Sequence, residues 1–505
     1  MPVVAVHDDG VAPERAFLKR HAGAHDSMSR LRQLGKDSLV YGVGAILAKG
    51  IGLFLLPLYT RIFPPADYGV IEMLTVMATF LSALLVMGMD SAQSFYFFAE
   101  KDGGRAAQAR LVGAILQWRL SWGVAIVIVA TAMAPLLNRL FFDAALEWRH
   151  FAVAFAGALA IQLMSQSVEI FRLLYRPWPY VLVTLGQALL AAALVLALVL
   201  GLHQGIFGYF LGTTIASVVA AAGGWFLVRH HVDLSAWHSG WWPRLLRFGV
   251  PLVPAGIAMY AMSTCDRWFV QHYQGAAALG VYAVGAKFGL IMALGIETFR
   301  KAWWPIAMDA MHSADGPETF RSISRLFMGV GVAAVVYLAF LAPWLVEWFA
   351  APEFHAAWEI VGTLAWPSLF YGFYLVASAG IWKCEKTRYS MLLMSAAALL
   401  NCILNWALVP RLGGIGAAVA TAVAYFALVL ASLLVSERLW KVGFPLTLFA
   451  LQISAGVAMV ALLSMSAART IAVALLTHVV AAALLLSTLD RGHWTAWLRR
   501  RASGV

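Results

Sequence analysis

Apolar segments of about twenty residues follow one another along most of the chain, and they constrain the fold more than any other feature. A helix needs about 20 apolar residues to cross a bilayer. The pattern predicts fourteen spans, at 38–63, 68–98, 111–133, 150–175, 180–200, 206–228, 248–270, 279–305, 326–349, 358–382, 389–409, 414–436, 447–466 and 470–489. Charged residues make up 12% of the chain, whereas a soluble domain has about 25%. We therefore predict an all-α polytopic membrane protein.

Lysine and arginine residues are distributed unequally between the two sides of the predicted bundle. With the N-terminus in the cytosol, the cytosolic segments hold 27 of the 36 basic residues and the opposite side holds six. Because basic residues concentrate on the cytosolic side of membrane proteins, both termini are predicted to be cytosolic. Residues 1–37 are too polar for a signal peptide. The same distribution accounts for the net charge of +11 without a nucleic-acid partner.

Cysteine usage and connection length restrict the chemistry that the chain can carry. Cys265, Cys384 and Cys402 are scattered, which predicts neither a disulfide framework nor a metal site. The longest connections, around 229–247 and 306–325, have about twenty residues and leave no room for a folded soluble domain. Membrane-embedded glycosyltransferases and polymerases usually work through larger loops. We therefore predict no catalytic residues and no cofactor.

Parts of the sequence recur at a nearly constant interval, as is common in transporters. "RPWPYVLVTLGQ" and "KTRYSMLLMSAA" align with a shift of 209 residues. "LYTRIF…YGVIEM" aligns with "TCDRWF…LGVYAV", which places Arg61 on Arg267 and Gly69 on Gly280. The repeat predicts two pseudo-symmetric six-helix bundles followed by two C-terminal helices.

The predicted boundaries follow from the spans and the repeat. They are a cytosolic tail at 1–37, a first bundle at 38–228, a cytosolic linker at 229–247, a second bundle at 248–436, two additional helices within 437–489 and a cytosolic tail at 490–505.

Three stretches are similar to a known family. They are "LLPLYTRIFPPADYGVIEM" (55–73), "LGVYAVGAKFGLI" (279–291) followed by "ETFRKAWWPIAMDAM" (297–311), and "LNCILNWALVPRLGGIGAAVATAVAY" (400–425). Over roughly residues 38–436 the chain resembles Wzx-type polysaccharide and O-antigen flippases, whose superfamily also holds multidrug exporters and lipid II flippases. The resemblance implies a V-shaped transporter of the bacterial inner membrane, in which two bundles alternate between inward- and outward-open states.

The resemblance also implies a substrate and partners. The substrate would be an undecaprenyl-pyrophosphate-linked oligosaccharide, the repeat unit of an exopolysaccharide or lipopolysaccharide. The partners would be membrane lipids, a polysaccharide polymerase and other proteins of the assembly pathway.

Five basic residues lie in or beside the predicted spans. An ionisable side chain in mid-bilayer costs at least about 2.5–3.5 kcal/mol, so it normally faces a cavity or a partner. A pyrophosphate needs several cationic donors. The predicted substrate-binding residues are Lys49, Arg61, Arg119, Arg267 and Lys287. The alternative for each is a structural ion pair or a position at the membrane interface.

Three carboxylates are candidates for charge partners of these cations or for H⁺ or Na⁺ coupling: Glu72, Asp90 and Asp266. Glu72 and Asp90 are 18 residues apart, so a continuous helix would place them on one face about 27 Å apart. Thr75 and Thr79 would complete a polar stripe along that span. Asp266 is turned about 100° from Arg267 on a helix, which predicts that these neighbours do not pair.

Other polar residues are predicted to stabilise helices and not to bind substrate. The predicted pairs are Glu297 with Lys301, Glu169 with Arg172 or Arg176, and interhelical hydrogen bonds from Asn401 and Asn405.

Two other functions compete with the flippase interpretation. A multidrug exporter of the same superfamily would bind organic cations, which favours an acidic and apolar cavity. An oligosaccharide polymerase or ligase would be an enzyme, and the short outward connections argue against it.

Overall fold

The computed structural model describes residues 50–100, 103–235, 237, 239–465 and 470–488, with five positions between 40 and 48. Every regular element within these ranges is helical, which confirms the predicted fold class. The helices are α1 (Leu56–Ile62), α2 (Pro65–Val86), α3 (Met89–Ala99), α4 (Gly104–Ala132), α5 (Ala134–Phe141), α6 (Trp148–Leu173), α7 (Pro177–Leu196), α8 (Gly205–Val228), α9 (Trp242–Gly249), α10 (Val253–His312), α11 (Gly316–Phe349), α12 (Trp358–Ala377), α13 (Ala379–Lys383), α14 (Arg388–Leu439), α15 (Leu446–Met465) and α16 (Ile471–Leu486).

Two of these helices reverse direction at a glycine. Gly275 in α10 has φ 84° and ψ 174°, and Gly413 in α14 has φ 61° and ψ −139°. Positive φ is accessible to glycine because it lacks a Cβ atom. The hydroxyl of Tyr282 donates to Asp266 across the first break. In a straight helix these two residues would lie about 24 Å apart, so the contact requires the reversal.

The described helices correspond closely to the predicted spans. Ten helical segments in the described residues are long and apolar enough to cross a membrane, and α10 and α14 each make two passes. The ten therefore account for twelve predicted spans, and the shorter α16 matches the last one. The first predicted span, 38–63, lies partly outside the described residues, and α1 forms its end.

The apolar side chains of the described residues form two buried clusters. The larger one joins α2 to helices from α10 to α16 and includes Leu74, Phe288 and Phe373, each no more than 1% exposed. The smaller one joins α3, α4, α6, α7, α8 and α9 and includes Leu111, Phe171 and Leu245. The α9 helix belongs to the predicted linker, and the indole of Trp242 fixes it to α4 by donating to the carbonyl of Ala114 at 3.1 Å.

The most extensive contact between the two predicted bundles is that of α2 with α10. It depends on Gly69 and Gly280, the two glycines that the internal repeat aligns. A Cβ atom on Gly69 would meet the carbonyl of Ala276 and lie 3.0 Å from the backbone nitrogen of Gly280. A Cβ atom on Gly280 would meet the carbonyl of Pro65. The two backbones therefore touch at this point, although the division into bundles itself stays a prediction.

Further contacts close the same end of the bundle, which the distribution of basic residues predicts to face outward. The hydroxyl of Thr60 accepts a hydrogen bond from the backbone nitrogen of Ala351 at 3.1 Å. The ring of Tyr68 meets that of Phe354 edge-on, with centroids 5.6 Å apart. The side chain of Gln271 donates to the carbonyl of Phe141. Each contact joins α1, α2 or α5 to residues beyond the linker.

The helix predicted for residues 68–98 is interrupted. Met87 and Gly88 have φ values of 47° and 71°, so α2 ends at Val86 and α3 starts in a new direction. The prediction of one polar stripe from Glu72 to Asp90 is therefore wrong, because it assumed an unbroken helix. A glycine after a methionine in an apolar segment gave too weak a signal to predict this break.

The contact at Gly69 predicts a specific sensitivity to side-chain size. We expect Gly69→Ala to lower the stability of the protein by about 1–3 kcal/mol, because the added methyl group overlaps backbone atoms that cannot rotate away. Thermal unfolding of the detergent-solubilised protein measures the effect.

Gly295→Ala is the matched control, since a Cβ atom there meets nothing within 4 Å. Alanine favours the helix over glycine, so this variant should unfold at the same temperature as the parent or slightly above it. Equal melting temperatures for both variants would contradict the proposed close approach.

Candidate functional site

Three charged side chains meet where α2 crosses α10. Glu72 lies on α2, about 10 Å along the helix axis from its first residue. Its Oε1 accepts a hydrogen bond from Nε of Arg267 at 3.0 Å, and its Oε2 lies 3.7 Å from Nζ of Lys287. Arg267 precedes the reversal at Gly275 and Lys287 follows it, so both passes of α10 contribute a cation. The carboxylate thus bridges two of the five predicted substrate-binding cations.

Asp266 supplies the second carboxylate of this group. Its Oδ1 accepts from Nη1 of Arg267 at 2.9 Å, and its other oxygen accepts from the hydroxyl of Tyr282. The prediction that Asp266 and Arg267 do not pair is therefore wrong. The guanidinium curls back along its own helix, where Nη1 also reaches the carbonyl of Ser263 at 2.9 Å. The Arg267 side chain is long enough to reach Asp266 although the Cβ atoms of the two residues point in different directions.

These four residues, Glu72, Asp266, Arg267 and Lys287, are called the central charge cluster below. Its two carboxylates balance its two cations. The side chains of Asp266, Glu72 and Arg267 are 3%, 11% and 16% exposed, whereas that of Lys287 is 41% exposed. Buried charges must be paired to be tolerated, so the first three stabilise one another. Lys287 has the longest ion-pair distance and the most open surroundings, and it is the cation most accessible to an anion from outside.

Two cavities are lined by residues of the central charge cluster, and a third shares wall residues with one of them. The arginine cavity, of about 280 Å³, contains Arg267 and Asp266 and is lined on its far side by Tyr371, Thr421 and Tyr425. The tyrosine cavity, of about 40 Å³, lies between Glu72, Lys287 and the rings of Tyr59, Tyr68 and Tyr209.

The third cavity, of about 300 Å³, is called the hydroxyl cavity, because threonine, serine and tyrosine side chains of α2, α8 and α10 line much of it. It shares Thr75 and Tyr209 with the tyrosine cavity. The described residues therefore place the cluster between one cavity with charged walls and another with neutral polar walls.

The remaining predicted site residues lie elsewhere. Arg119 is 1% exposed and pairs with Asp90 across α3 and α4, and it also donates to the carbonyl of Gln162 at 2.6 Å. Arg61 is exposed at the end of α1, where it donates to the carbonyl of Pro57 at 2.9 Å. Lys49 lies outside the described residues. The repeat that aligns Arg61 with Arg267 therefore does not give them similar surroundings.

The predicted stabilising pairs are largely present. Glu169 pairs with Arg172 at 2.7 Å. The amide of Asn401 donates to the hydroxyl of Thr421 at 3.2 Å across the reversal of α14, which confirms interhelical hydrogen bonding for this residue. The amide of Asn405 donates instead to the carbonyl and the Oδ1 of Asn401 in its own helix, so the prediction was wrong for Asn405. Glu297 pairs with Arg300 at 2.8 Å, so the predicted partner, Lys301, was wrong.

The sequence pattern did not identify Tyr282, Tyr209 or the hydroxyl groups of α8 as site residues. Tyrosine and threonine are common in apolar spans, so their identity alone carried no signal. The reversal at Gly275 was the missing information for Tyr282, because residues at similar distances on either side of a hairpin face each other. Asp266 and Tyr282 lie nine and seven residues from that glycine.

A bundle of apolar helices whose buried charges pair beside internal cavities is typical of a membrane transporter of the flippase and exporter type. The chain belongs to the polysaccharide biosynthesis protein family, whose sequence profile matches residues 34–311. That match covers more than half of the 505 residues.

Solved structures share this fold. The fold is similar to that of the lipid II flippase MurJ in an inward closed conformation, with a TM-score of 0.70 and 15% identity over 92% of this chain and 100% of that chain. An inward-facing multidrug resistance MATE family transporter of the MOP superfamily gives a TM-score of 0.59 and 17% identity over 80% of this chain and 96% of that chain. At such identities the similarity shows the fold.

Curated relatives match over parts of their lengths. A protein of the Lsg locus of Haemophilus influenzae is 24% identical over 285 residues, which are 55% of this chain and 66% of that protein. "Probable multidrug resistance protein NorM" of Geobacillus kaustophilus is 25% identical over 198 residues, which are 37% of this chain and 43% of that protein. The chain thus spans between about two fifths and two thirds of these relatives.

The geometry of the central charge cluster predicts that its members depend on one another. Arg267→Gln leaves Glu72 and Asp266 with one cation instead of two, and we expect a loss of about 3–5 kcal/mol in stability, because a buried charge loses its partner. Adding Glu72→Gln should recover part of that loss, since the second substitution removes the unpaired carboxylate. A double-mutant cycle on thermal unfolding measures the coupling.

Arg61→Gln serves as the control, because this arginine is exposed and its side chain bonds to its own helix. We expect a change within about 0.5 kcal/mol, as for most surface substitutions. Additive effects of the Glu72 and Arg267 substitutions would contradict a stabilising pair between them.

Proposed function

We propose that this protein moves an undecaprenyl-pyrophosphate-linked oligosaccharide from the inner to the outer leaflet of the bacterial inner membrane by alternating access. The observation that carries this proposal is the central charge cluster. It presents Arg267 in a cavity of about 280 Å³ and Lys287 in a smaller one of about 40 Å³, and it holds both cations with carboxylates of the chain itself. Family membership and the flippase fold support the same proposal.

The first step is the exchange of one anion for another. A pyrophosphate that approaches the central charge cluster meets Lys287 first, because its side chain is the more exposed of the two cations and its Nζ lies 3.7 Å from Glu72. Phosphate and carboxylate oxygens both form short, charge-assisted hydrogen bonds with Lys and Arg, and a pyrophosphate diester carries two negative charges where Glu72 carries one. The substrate would therefore replace Glu72 as the partner of Lys287, and then of Arg267.

The second step follows from which helices the cluster joins. Glu72 belongs to α2 and both cations belong to α10, so the ion pairs connect the two predicted bundles. When the pyrophosphate replaces Glu72 as the partner of both cations, the ion pairs between α2 and α10 are lost. The bundles are then free to separate at the level of Glu72. Asp266 keeps Arg267 in place during the exchange, because it lies on the same helix and is itself held by Tyr282.

The coupling ion would act on the carboxylate that the substrate releases. A Glu72 carboxylate without its cationic partners is unfavourable in a buried site, and it would bind H⁺ or Na⁺ until the substrate leaves. No covalent step is required in this scheme. The protein lowers the free energy of moving a sugar head group through hydrocarbon by providing a hydrated, charged path, while the lipid chain stays in the bilayer.

Lys287→Met tests the proposal with little effect on the fold, since Glu72 retains Arg267. We expect flipping to slow about tenfold or more, the value of one charge-assisted hydrogen bond. The measurement is the leaflet distribution of the lipid-linked repeat unit in cells that depend on the variant, read with a membrane-impermeant label on right-side-out and inverted vesicles. The unit should accumulate on the cytosolic face.

Lys441→Met is the matched control, because Lys441 is exposed in the connection before α15. It should leave the distribution unchanged at equal membrane abundance. Parental flipping in Lys287→Met would overturn the assigned role. Accumulation of single repeat units on the outer face in cells lacking the protein would favour a polymerase, and loss of organic-cation efflux with normal glycan assembly would favour a multidrug exporter.

A further inference from the structure

The hydroxyl cavity differs from the other two in the chemistry of its walls. It lies between α2, α6 and α8 and is closed on one side by Tyr260 of α10. None of the described side chains that line it is charged. Its volume of about 300 Å³ falls at the lower end of the range for small-molecule sites, about 300–1,000 Å³. It can hold a compact ligand, and nothing in its walls compensates a ligand charge.

The hydroxyl protons of α2 are already in use. Thr75 donates to the carbonyl of Ile71 at 2.7 Å, and Thr79 donates to that of Thr75 at 2.8 Å. Ser82 donates to the carbonyl of Ala78 at 3.1 Å. A hydroxyl group has one proton and two acceptor lone pairs. Each of these groups therefore has acceptor capacity left for a ligand but no proton to donate.

The facing helix, α8, repeats this arrangement. Thr213 donates to the carbonyl of Phe210 at 2.9 Å, and Thr214 donates to that of Val153 on α6 at 2.9 Å. The bond from Thr214 also ties α8 to α6, whereas that from Thr213 stays within its own helix. Two walls of the cavity thus present oxygen atoms that accept hydrogen bonds.

Acceptor-rich walls without cations select for a particular kind of ligand. Besides the hydroxyl groups already in use, the only donors among the described side chains of the wall are neutral, on Gln162, Tyr209 and Tyr260. A phosphate or carboxylate group would therefore meet many oxygen lone pairs and no compensating cation, which is unfavourable in a buried site. A neutral sugar carries several hydroxyl donors and satisfies these acceptors. The cavity is therefore suited to the uncharged part of a glycolipid head group, and the central charge cluster is suited to its charged part.

The two sites are adjacent, so one ligand can occupy both. Thr75 and Tyr209 line the hydroxyl cavity and also the tyrosine cavity, which contains Glu72 and Lys287. A group bound at Lys287 would therefore have its next substituent at the entrance to the hydroxyl cavity. We infer that the hydroxyl cavity binds neutral, hydroxyl-rich sugar residues next to the pyrophosphate and discriminates against acidic sugars at that position. This inference rests on the proposed function.

The test uses the full-length protein in lipid nanodiscs and three probes: undecaprenyl pyrophosphate, the same lipid carrying glucose, and the same lipid carrying glucuronic acid. The double variant Thr79→Val and Thr213→Val removes two acceptors and keeps the side-chain shape. We expect its affinity for the glucose lipid, measured by native mass spectrometry, to fall about tenfold. Its affinity for the sugar-free lipid should not change, and the parent protein should bind the glucuronic acid lipid more weakly than the glucose lipid.

Thr184→Val is the matched control, since Thr184 donates to the carbonyl of Tyr180 at 2.8 Å in the same way but does not line the cavity. It should bind all three probes as the parent does. An unchanged affinity of the double variant for the glucose lipid, or equal affinity of the parent for the two sugar lipids, would overturn the inference.

These outcomes separate the inference from the proposed function. If the parent and Lys287→Met bind the sugar-free lipid equally well, the assignment of the pyrophosphate site fails. If only Lys287→Met weakens that binding and the double variant behaves as the parent with the glucose lipid, the pyrophosphate site stands and the sugar site fails.

Discussion

The ion pair between Glu72 and Arg267 is the interaction on which the arrangement of the helices depends. It lies at the crossing of α2 and α10, where the predicted bundles make their most extensive contact. Two charges with so little access to water stabilise the structure only together, and removal of either is costly. The close backbone contact at Gly69 and Gly280 brings the two helices within reach of this pair. Packing and electrostatics therefore act on the same contact.

The balance of charge in the cluster reconciles two requirements of a transporter. A cavity lined only by cations would be unstable when empty, because like charges repel in a medium of low dielectric. Carboxylates supplied by the chain remove that repulsion. The strength with which each cation is held depends on how many carboxylates contact it and at what distance. Arg267 has two carboxylate partners, whereas Lys287 has one at a longer distance. The stability of the empty protein and its ability to exchange partners thus reside in different residues.

The sequence was sufficient for the helical class, for nearly all spans and for four members of the central charge cluster, since hydropathy and intramembrane charge are local properties. It could not predict how the charges pair. Pairing depends on the break at Met87 and Gly88, which turns Asp90 toward Arg119, and on the reversal at Gly275, which brings Tyr282 to Asp266. The direction of the Arg267 side chain depends on its rotamer. The helical angle alone therefore led to the wrong prediction that Arg267 does not pair with Asp266. The hydroxyl groups of α8 indicate a site only because α2 and α6 lie opposite them around one cavity.

The break between α2 and α3 has a mechanical consequence. Each side of it is fixed by a separate ion pair: Glu72 holds α2 to α10, and Asp90 holds α3 to α4. The two left-handed residues between them, Met87 and Gly88, already interrupt the helical hydrogen-bond pattern. Hinges of this kind absorb rotation in a few backbone angles. A rigid span would have to move Asp90 together with Glu72, whereas the break allows α2 to change its angle to α10 while α3 stays paired with α4.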